Sequence, residues 1–157
     1  MMKKIVNPWI GHEGYNCFGC CPDNNSGMRM QFYEDGDDIV SFWIPQDCHI
    51  SWKNTLHGGV QAALLDELCG WVIFRKCGSA GVTGKLELKY HKPVSLQPLT
   101  LKAHITLNRG RVVVVEGTIY DASDNVLTVA TATYFVADTD KAREMGFMEC
   151  EVEDNLE

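Results

Sequence analysis

The feature that most restricts the fold is one long apolar segment in the middle of the chain, TLHGGVQAALLDELCGWVIF at residues 55–74. From His57 to about Lys76 there is no proline, the only glycine after the opening pair is Gly70, and the length suits a helix better than a strand. Apolar side chains would surround the axis of such a helix, which predicts burial on all sides. The following CGSAG predicts a glycine cap at its end.

Short runs rich in aromatic and β-branched residues flank this helix and predict antiparallel strands. MRMQFYE and DIVSFWI precede it, separated by DGDD in a pattern typical of a hairpin. Four further runs follow it, namely VTGKLELKYH, LTLKAHITLNR, RVVVVEGTIYD and VLTVATATYFVA. The order of two strands, one long helix and four strands predicts an α+β fold in which one curved antiparallel sheet wraps a central helix.

The length of the chain predicts its domain organisation, and its net charge limits the classes of partner that it can bind. The chain of 157 residues predicts a single domain, with an irregular N-terminal segment (1–27), a core (28–137) and a charged C-terminal tail (138–157) that can add a short helix before fraying. A formal net charge of -7 opposes binding to nucleic acid or to an anionic membrane. Neither a signal peptide nor a run of about 20 apolar residues is visible, so we expect a cytoplasmic protein.

Two adjacent carboxylates, Asp66 and Glu67, interrupt the apolar segment. Neither has a basic neighbour at helical spacing, and burying an unpaired carboxylate is costly or forces it to take up a proton. Each therefore requires a partner from another part of the fold, a water-filled cleft or a functional role. Because one small sheet cannot cover every side of such a helix, we expect a second copy of the chain to complete its burial, with a cleft at the seam.

The glycines at the start of the helix predict a site for developing negative charge. The first N–H groups of a helix have no intrahelical partners, and the missing Cβ atoms of Gly58 and Gly59 let a ligand atom approach them. The helix dipole favours negative charge at the same end. A carbonyl oxygen that becomes an oxyanion is stabilised by such donors. Two glycines at a helix start are also a packing device, and that alternative stays open.

Three stretches in this order carry a family resemblance, CFGCCPDNNSGMRMQFY, LHGGVQAALLDE and VTGKLELKYHKPV. Together they resemble the PaaI-like branch of the hotdog-fold acyl-CoA thioesterases over about residues 17–137. The most specific part is HGG followed by a carboxylate nine residues after the histidine. The resemblance implies a hotdog fold, with sheets joined edge to edge in homodimers that often pair into homotetramers, and an active site at the subunit interface.

The resemblance also implies hydrolysis of a small or medium acyl or aryl thioester of CoA, without a cofactor, and places the catalytic groups. Asp66 falls on the general base or nucleophile, and the backbone N–H of Gly58 falls on the oxyanion donor. His57 and Gly59 shape that turn, His57 as a structural or carbonyl-facing hydrogen-bond partner. Thr83, ten residues before the proline of the KP pair, falls on the hydroxyl residue that positions water or the aspartate.

A further set of residues is expected to contact the substrate. Relatives often carry Asn or Gln six residues before the histidine, where this chain has Ser51, and Asn54 is the amide that would replace it. CoA is anionic and requires cationic side chains near the cleft. Glu67 is grouped with this set, although a structural partner is the favoured interpretation. The other candidates are Gly59, Lys89, Lys92, Arg109 and Arg111.

The departure at Ser51 keeps a second function open, a non-catalytic hotdog module that binds an acyl thioester or a related small acyl ligand. A hydratase or dehydratase on the same fold is a third interpretation, but the sequence shows no matching constellation of Asp and His. A panel of acyl-CoA substrates would separate the first two functions, because only an enzyme releases free CoA thiol.

The seven cysteines favour reduced thiols over a disulfide framework, because their number is odd and no signal peptide is visible. Residues 17–21, CFGCC, include a C-x-x-C pair, which is half of a structural zinc site. The sequence does not supply the other half, since closure would require His12, Cys48 or His49 to fold back. The resemblance implies a packing element here, so no metal site is predicted.

Overall fold

The computed structural model describes residues 1–153, and the predicted helix lies at its centre. Helix α1 spans Gly58–Val72 and continues through one π-helical turn, Ile73–Cys77. Gly78, in the left-handed conformation with φ of 61°, caps this end, as the CGSAG signal predicted. Within residues 1–153, no helix is long and apolar enough to cross a membrane.

A seven-stranded antiparallel sheet wraps α1. Its strands are β1 (Lys3–Lys4), β2 (Tyr33–Asp35), β3 (Asp38–Trp43), β4 (Gly81–Tyr90), β5 (Leu99–Asn108), β6 (Val112–Tyr120) and β7 (Val126–Val136). They lie in the order β1-β2-β3-β5-β6-β7-β4, which leaves β4 at one edge. The predicted fold class, one antiparallel sheet around a single long helix, is confirmed.

The sheet packs against α1 through side chains that alternate along its central strands. The buried, inward-facing side chains of β5, β6 and β7 include Leu101, Ala103, Val113, Val115, Ala130 and Ala132. Gly117 on β6 lets the helix approach closely, since a Cβ there would lie 3.1 Å from Cys69 Sγ and 3.2 Å from Leu65 Cδ2. This apolar burial is the main force that holds the helix in the sheet.

The N-terminal segment (1–27) was predicted to be irregular, and this is wrong at its start. β1 pairs with β2 at the edge of the sheet opposite β4. Ile5, Cys20 and Cys21 are buried, so the segment forms part of the core. Two successive lysines make up β1, and such a pair carries no apolar alternation that would indicate a strand.

The first predicted strand is shorter than MRMQFYE, because only its end pairs as β2. The preceding residues alternate as predicted, and Met28 and Met30 are buried. Their amides, however, donate to the carbonyls of Phe18 and Gly19. Their partner is therefore the turn that contains CFGCC, not another strand.

The charged tail contains a second helix, α2 (Thr139–Glu144), in agreement with the short helix expected there. Beyond α2 the chain returns to β1, where the Val6 amide donates to the Glu151 carbonyl. The described part of the tail is thus fixed to the first strand. The predicted fraying concerns the extreme end, and residues 154–157 lie outside the described residues.

Candidate active site

Asp66 lies on the side of α1 that faces β4 and β7. Its Oδ1 accepts hydrogen bonds from the hydroxyl of Thr83 at 2.8 Å and from that of Tyr134 at 3.0 Å. Tyr134 also contacts the Asp66 backbone carbonyl at 2.8 Å. Within residues 1–153 no cation forms an ion pair with Asp66. The carboxylate is therefore held through one oxygen by neutral donors, and Oδ2 keeps its lone pairs for another partner.

A β-bulge turns Thr83 towards the helix. Leu86 on the same strand packs against the core, so simple alternation would point Thr83 to the opposite face. The pairing of β4 with β7 shifts register directly after Thr83, leaving Gly84 as the extra residue. A Cβ at Gly84 would lie 2.2 Å from the ring of Phe135, so glycine allows this bulge to form. The glycine inside the predicted strand was the signal for it.

Tyr134 was not among the predicted site residues. It lies on β7 and is only 2% exposed. Burial is the main cause that raises the pKa of its phenol, and the nearby Cys69 and Asp66 act in the same direction. The hydroxyl therefore keeps its proton and remains a donor to Asp66. The sequence shows this residue only as one more apolar position in the alternation of β7.

The start of α1 is built around His57. Its Nδ1 accepts a hydrogen bond from the Gly59 amide at 2.9 Å, which caps the helix. The hydroxyl of Tyr90, at the end of β4, donates to the Gly58 carbonyl at 2.8 Å. Among residues 1–153 no group accepts a hydrogen bond from the Gly58 amide. The helix thus begins with one amide available to a ligand, and His57 occupies a structural position beside it.

A cleft of about 330 Å³ opens at this end of the helix, lined in part by Gly58, Ser51 and Lys92. Ser51 therefore lies beside the amide available to a ligand, where relatives often carry a longer polar side chain. Asn54 does not line this cleft, because its Oδ1 accepts from the Leu96 amide at 3.4 Å. The structure brings the first of these two predicted residues to Gly58, but not the second.

The four predicted cationic residues are exposed and divide between the two ends of β4. Lys89 and Lys92 lie at the end of β4 that adjoins the helix start. Arg109 and Arg111 lie in the turn between β5 and β6. This turn adjoins the other end, because the Val136 amide donates to the Arg111 carbonyl and Val136 pairs with the first residue of β4. A single copy does not gather all four at one cleft.

Asp66 and Gly58 do not meet within one copy. Eight helical positions separate them, a rise of about 12 Å at 1.5 Å per residue. A base or nucleophile and an oxyanion donor must both lie about 3 Å from the same reacting group. One chain by itself therefore supplies only one of these groups to any carbonyl.

Glu67 points to another part of the molecule. Its Oε1 accepts from the indole N–H of Trp71 at 3.1 Å and from the thiol of Cys17 at 3.4 Å. Gly19 packs directly on this carboxylate, since a Cβ there would lie 2.2 Å from Glu67 Cδ. Glu67 does not line the cleft at Gly58, in contrast to its grouping with the substrate-binding residues.

Comparison with known proteins shows a similarity to one superfamily. The profile of the thioesterase superfamily matches residues 53–128, which include the helix start, Asp66 and Thr83. The match covers just under half of the 157 residues, so over this stretch the chain is similar to that superfamily. No protein with a curated description matches the chain.

Several solved structures share the fold. One, described as a thioesterase superfamily protein, is 27% identical over 73% of this chain with a TM-score of 0.67, and the match spans only 60% of its own length. A hypothetical thioesterase protein from Streptococcus pneumoniae TIGR4, solved with coenzyme A, is 24% identical over 64% of this chain and 82% of its own, with a TM-score of 0.61. A protein from Streptococcus mutans UA159, bound to acetyl CoA, is 20% identical over 69% and 88%, with a TM-score of 0.63.

Proposed function

We propose that this protein is an acyl-CoA thioesterase of the PaaI-like branch whose active site is shared between two copies of the chain. One observation carries the proposal. Asp66 is bonded to Thr83 near the start of β4, whereas Gly58 is bonded to Tyr90 at the end of the same strand. The two groups that thioester hydrolysis requires therefore lie at opposite ends of an edge strand.

β4 has one side that no strand of the described chain covers. Most of its ten residues are exposed, and the apolar side chains of Val82 and Tyr90 are 67% and 50% exposed. A long edge strand with exposed apolar side chains favours pairing with another strand. Antiparallel pairing of two β4 strands about a two-fold axis would join two sheets into one and give a homodimer.

Such pairing would bring the two halves of the site together. In an antiparallel pair, the start of one strand lies beside the end of the other. Thr83 and Asp66 of one copy would then face Tyr90 and Gly58 of the second copy across the seam. A two-fold axis repeats this arrangement, so the dimer would contain two equivalent sites.

The exposure of α1 supports the same arrangement. Around the helix, the buried positions form one face and the partly exposed positions form the other. The centre of the partly exposed face consists of Gly59, Ala62, Ala63, Asp66 and Gly70. Small side chains on this face would let the second copy approach closely, which would complete the burial that the apolar helix predicts.

In the shared site, the thioester carbonyl would lie between Asp66 of one copy and the Gly58 amide of the other. Thr83 and Tyr134 hold Oδ1, so Oδ2 would either take a proton from the attacking water or attack the carbonyl itself to give a mixed anhydride. The developing oxyanion would accept a hydrogen bond from Gly58 at the positive end of the helix dipole. Collapse of the tetrahedral intermediate would expel CoA as its thiolate.

The proposed substrate class rests on charge and on the solved relatives. Antiparallel pairing would place Lys92 of one copy near Arg109 and Arg111 of the other, forming a cationic border for the phosphates of CoA. The Streptococcus pneumoniae protein was solved with coenzyme A, and also with an aspartate or a threonine, 16 positions apart, replaced by alanine. In this chain Asp66 and Thr83 are 17 positions apart.

A module that binds an acyl thioester without hydrolysing it is the second candidate. The observation that favours it is the short side chain of Ser51 in the cleft at Gly58, together with the contact of Asn54 to Leu96. No longer amide from that loop would then contact the thioester.

The test is a panel of acyl-CoA substrates assayed by release of free thiol, with wild type, Asp66→Asn and Asp37→Asn. Asp37 is an exposed turn residue between β2 and β3 and controls for the chemical change. We expect kcat/KM on at least one substrate to fall by about 100-fold or more in Asp66→Asn and to stay unchanged in the control. Equal activity of wild type and Asp66→Asn would remove Asp66 from the reaction. CoA binding without turnover of any substrate would favour the second candidate.

A further inference from the structure

A cluster of three metal-ligating side chains lies outside the proposed active site. Cys17 Sγ, Cys20 Sγ and a carboxylate oxygen of Glu67 all lie within 4.8 Å of one another, and Cys17 Sγ is 3.4 Å from Glu67 Oε1. Tetrahedral zinc, with bonds of about 2.3 Å to sulfur and about 2.0 Å to oxygen, requires an S–O separation of about 3.5 Å. The three atoms therefore surround a space that such an ion would fit with little movement.

The fold holds the two thiols in place against the helix. Cys17 and Cys20 belong to one turn, and the carbonyl of Gly19 within it accepts from the Met30 amide at 2.9 Å. A Cβ at Gly19 would lie 2.5 Å from Glu67 Oε2, so only glycine lets the turn close on the carboxylate. The close approach of Gly19 to Glu67 is what brings ligands from two distant parts of the chain together.

Neighbouring hydrogen bonds orient these side chains. The indole N–H of Trp71 donates to Glu67 Oε1 at 3.1 Å. The side-chain amide of Asn7 donates to the hydroxyl oxygen of Tyr15 at 2.8 Å, and this hydroxyl shares a hydrogen bond with Cys20 Sγ, also 2.8 Å away. Tyr15 thereby fixes the position of the Cys20 sulfur. Outer hydrogen bonds of this kind are typical of metal ligands.

The charge of this cluster is not balanced by the protein. In the part of the chain that the structure describes, no lysine, arginine or histidine forms an ion pair with Glu67. Glu34, by contrast, pairs with both Arg75 and Lys76 at 2.9 Å. A partly buried carboxylate without a cationic partner favours the approach of a cation, and a divalent ion would supply the positive charge.

We propose that Cys17, Cys20 and Glu67 bind a divalent ion of the zinc class, with water as the fourth ligand. Two cysteine ligands select zinc over magnesium or calcium. A cavity of about 240 Å³, lined by these three residues together with Trp9 and Phe74, leaves room for that water. The ion joins the N-terminal segment to α1, beside the proposed catalytic residue.

The sequence did not predict this site because its third ligand lies 50 residues from Cys17. The C-x-x-C pair is only half of a ligand set. The residues expected to complete such a set were His12, Cys48 and His49. A glutamate is not part of any common zinc-binding spacing. The proposal does not depend on the proposed thioesterase activity.

The test is titration of the full-length, reduced and chelator-treated protein with Co²⁺, followed by competition with Zn²⁺ and a chromophoric chelator. We expect one equivalent of Co²⁺ to bind with sulfur-to-metal charge-transfer absorption and the intense visible bands of a tetrahedral ion. Cys17→Ser, Cys20→Ser and Glu67→Gln should each weaken Zn²⁺ affinity at least about tenfold. Cys48→Ser, which changes an exposed cysteine outside the cluster, should bind as the wild type does.

Three results would overturn the proposal. The first is a failure of the reduced wild-type protein to bind one equivalent of Co²⁺. This result counts against the site even if Cys17 and Cys20 form a disulfide before reduction. The second is unchanged affinity in either serine variant. The third is wild-type Zn²⁺ affinity in Glu67→Gln. This variant keeps the side-chain volume and an acceptor for Trp71, and circular dichroism would verify that it folds.

Discussion

Asp66 and Glu67 are adjacent residues on one helix, yet they belong to different surroundings. Asp66 accepts hydrogen bonds from Thr83 and Tyr134, and lies on the face of α1 that one copy leaves partly exposed. Glu67 contacts the indole and the thiol that close over it within the same copy. Successive helical residues point about 100° apart, which is enough to separate them. The two carboxylates therefore differ in their partners, and the roles proposed for them follow from those partners.

Glu34 shows how the same chain balances the negative charge of a carboxylate in a structural ion pair. It receives hydrogen bonds from Arg75 and Lys76, both in the π-helical turn that ends the central helix. These contacts, Arg75 first, lower the pKa of Glu34 to about 2. Neither Asp66 nor Glu67 has such a cation among residues 1–153. The contrast separates the adjacent pair, held by hydroxyl, indole and thiol donors, from a structural ion pair.

The largest expected effect is the difference in kcat/KM between variants of the two adjacent carboxylates. Asp66→Asn should lower kcat/KM by about 10² to 10⁴-fold, because the amide can neither accept the proton from water nor attack the thioester. Glu67→Gln should lower it by less than about tenfold, since its contacts lie with the cysteine cluster. Steady-state kinetics on the best acyl-CoA substrate measures both. Equal losses in the two variants would break the distinction.

The next effect concerns the oxyanion donor. Gly58→Pro removes the N–H at the first helical position, where proline is well tolerated, and the extended backbone of His57 suits a following proline. We expect a fall in kcat of about 10² to 10³-fold. Gly58→Ala keeps the donor, and its Cβ would make an ordinary contact of 3.4 Å with the Tyr90 hydroxyl. A proline variant as active as the alanine control would exclude this amide as the donor.

A smaller effect tests the two hydroxyls that hold Asp66. Tyr134→Phe removes a buried donor and should lower the free energy of unfolding by about 1 kcal/mol as well as the activity. Thr83→Val, at an exposed position, should lower activity with little change in stability. Urea denaturation and kinetics on both variants check this difference. Full activity in both variants would show that Asp66 needs neither hydroxyl.

The smallest expected effect is the contribution of Glu34 to the pH dependence of the free energy of unfolding. Its pKa is lowered from 4.5 to about 2 in the folded protein, so its charge stabilises the fold above about pH 4.5, and this contribution is lost as the pH falls towards 2. Wild type should therefore be more stable than Glu34→Gln near neutral pH, and the gap should shrink in acid. Urea denaturation over this range measures the gap. A gap independent of pH would contradict the ion-pair assignment.

The fold was predictable where a local pattern controls it. A long apolar segment with glycines at both ends favoured a buried helix over a strand, and Asp66 was conspicuous because a carboxylate is costly to bury. The contact of Tyr134 with Asp66 was not predicted, since it depends on how β7 lies against the helix and β4, and the bulge at Gly84 had only a glycine inside a predicted strand as its signal. Glu67 was predicted as a structural partner, but its cysteine neighbours come from a turn far away in sequence.

The most direct measurement tests whether each site combines Asp66 of one copy with Gly58 of another. Asp66→Asn and Gly58→Pro chains are co-expressed with different tags, and the mixed dimers are isolated through both tags. Each mixed dimer should contain one intact site and one doubly altered site, so we predict about half of the wild-type activity, far above either variant alone. Mixed dimers no more active than the single variants, or a protein that is monomeric by native mass spectrometry, would contradict the shared site.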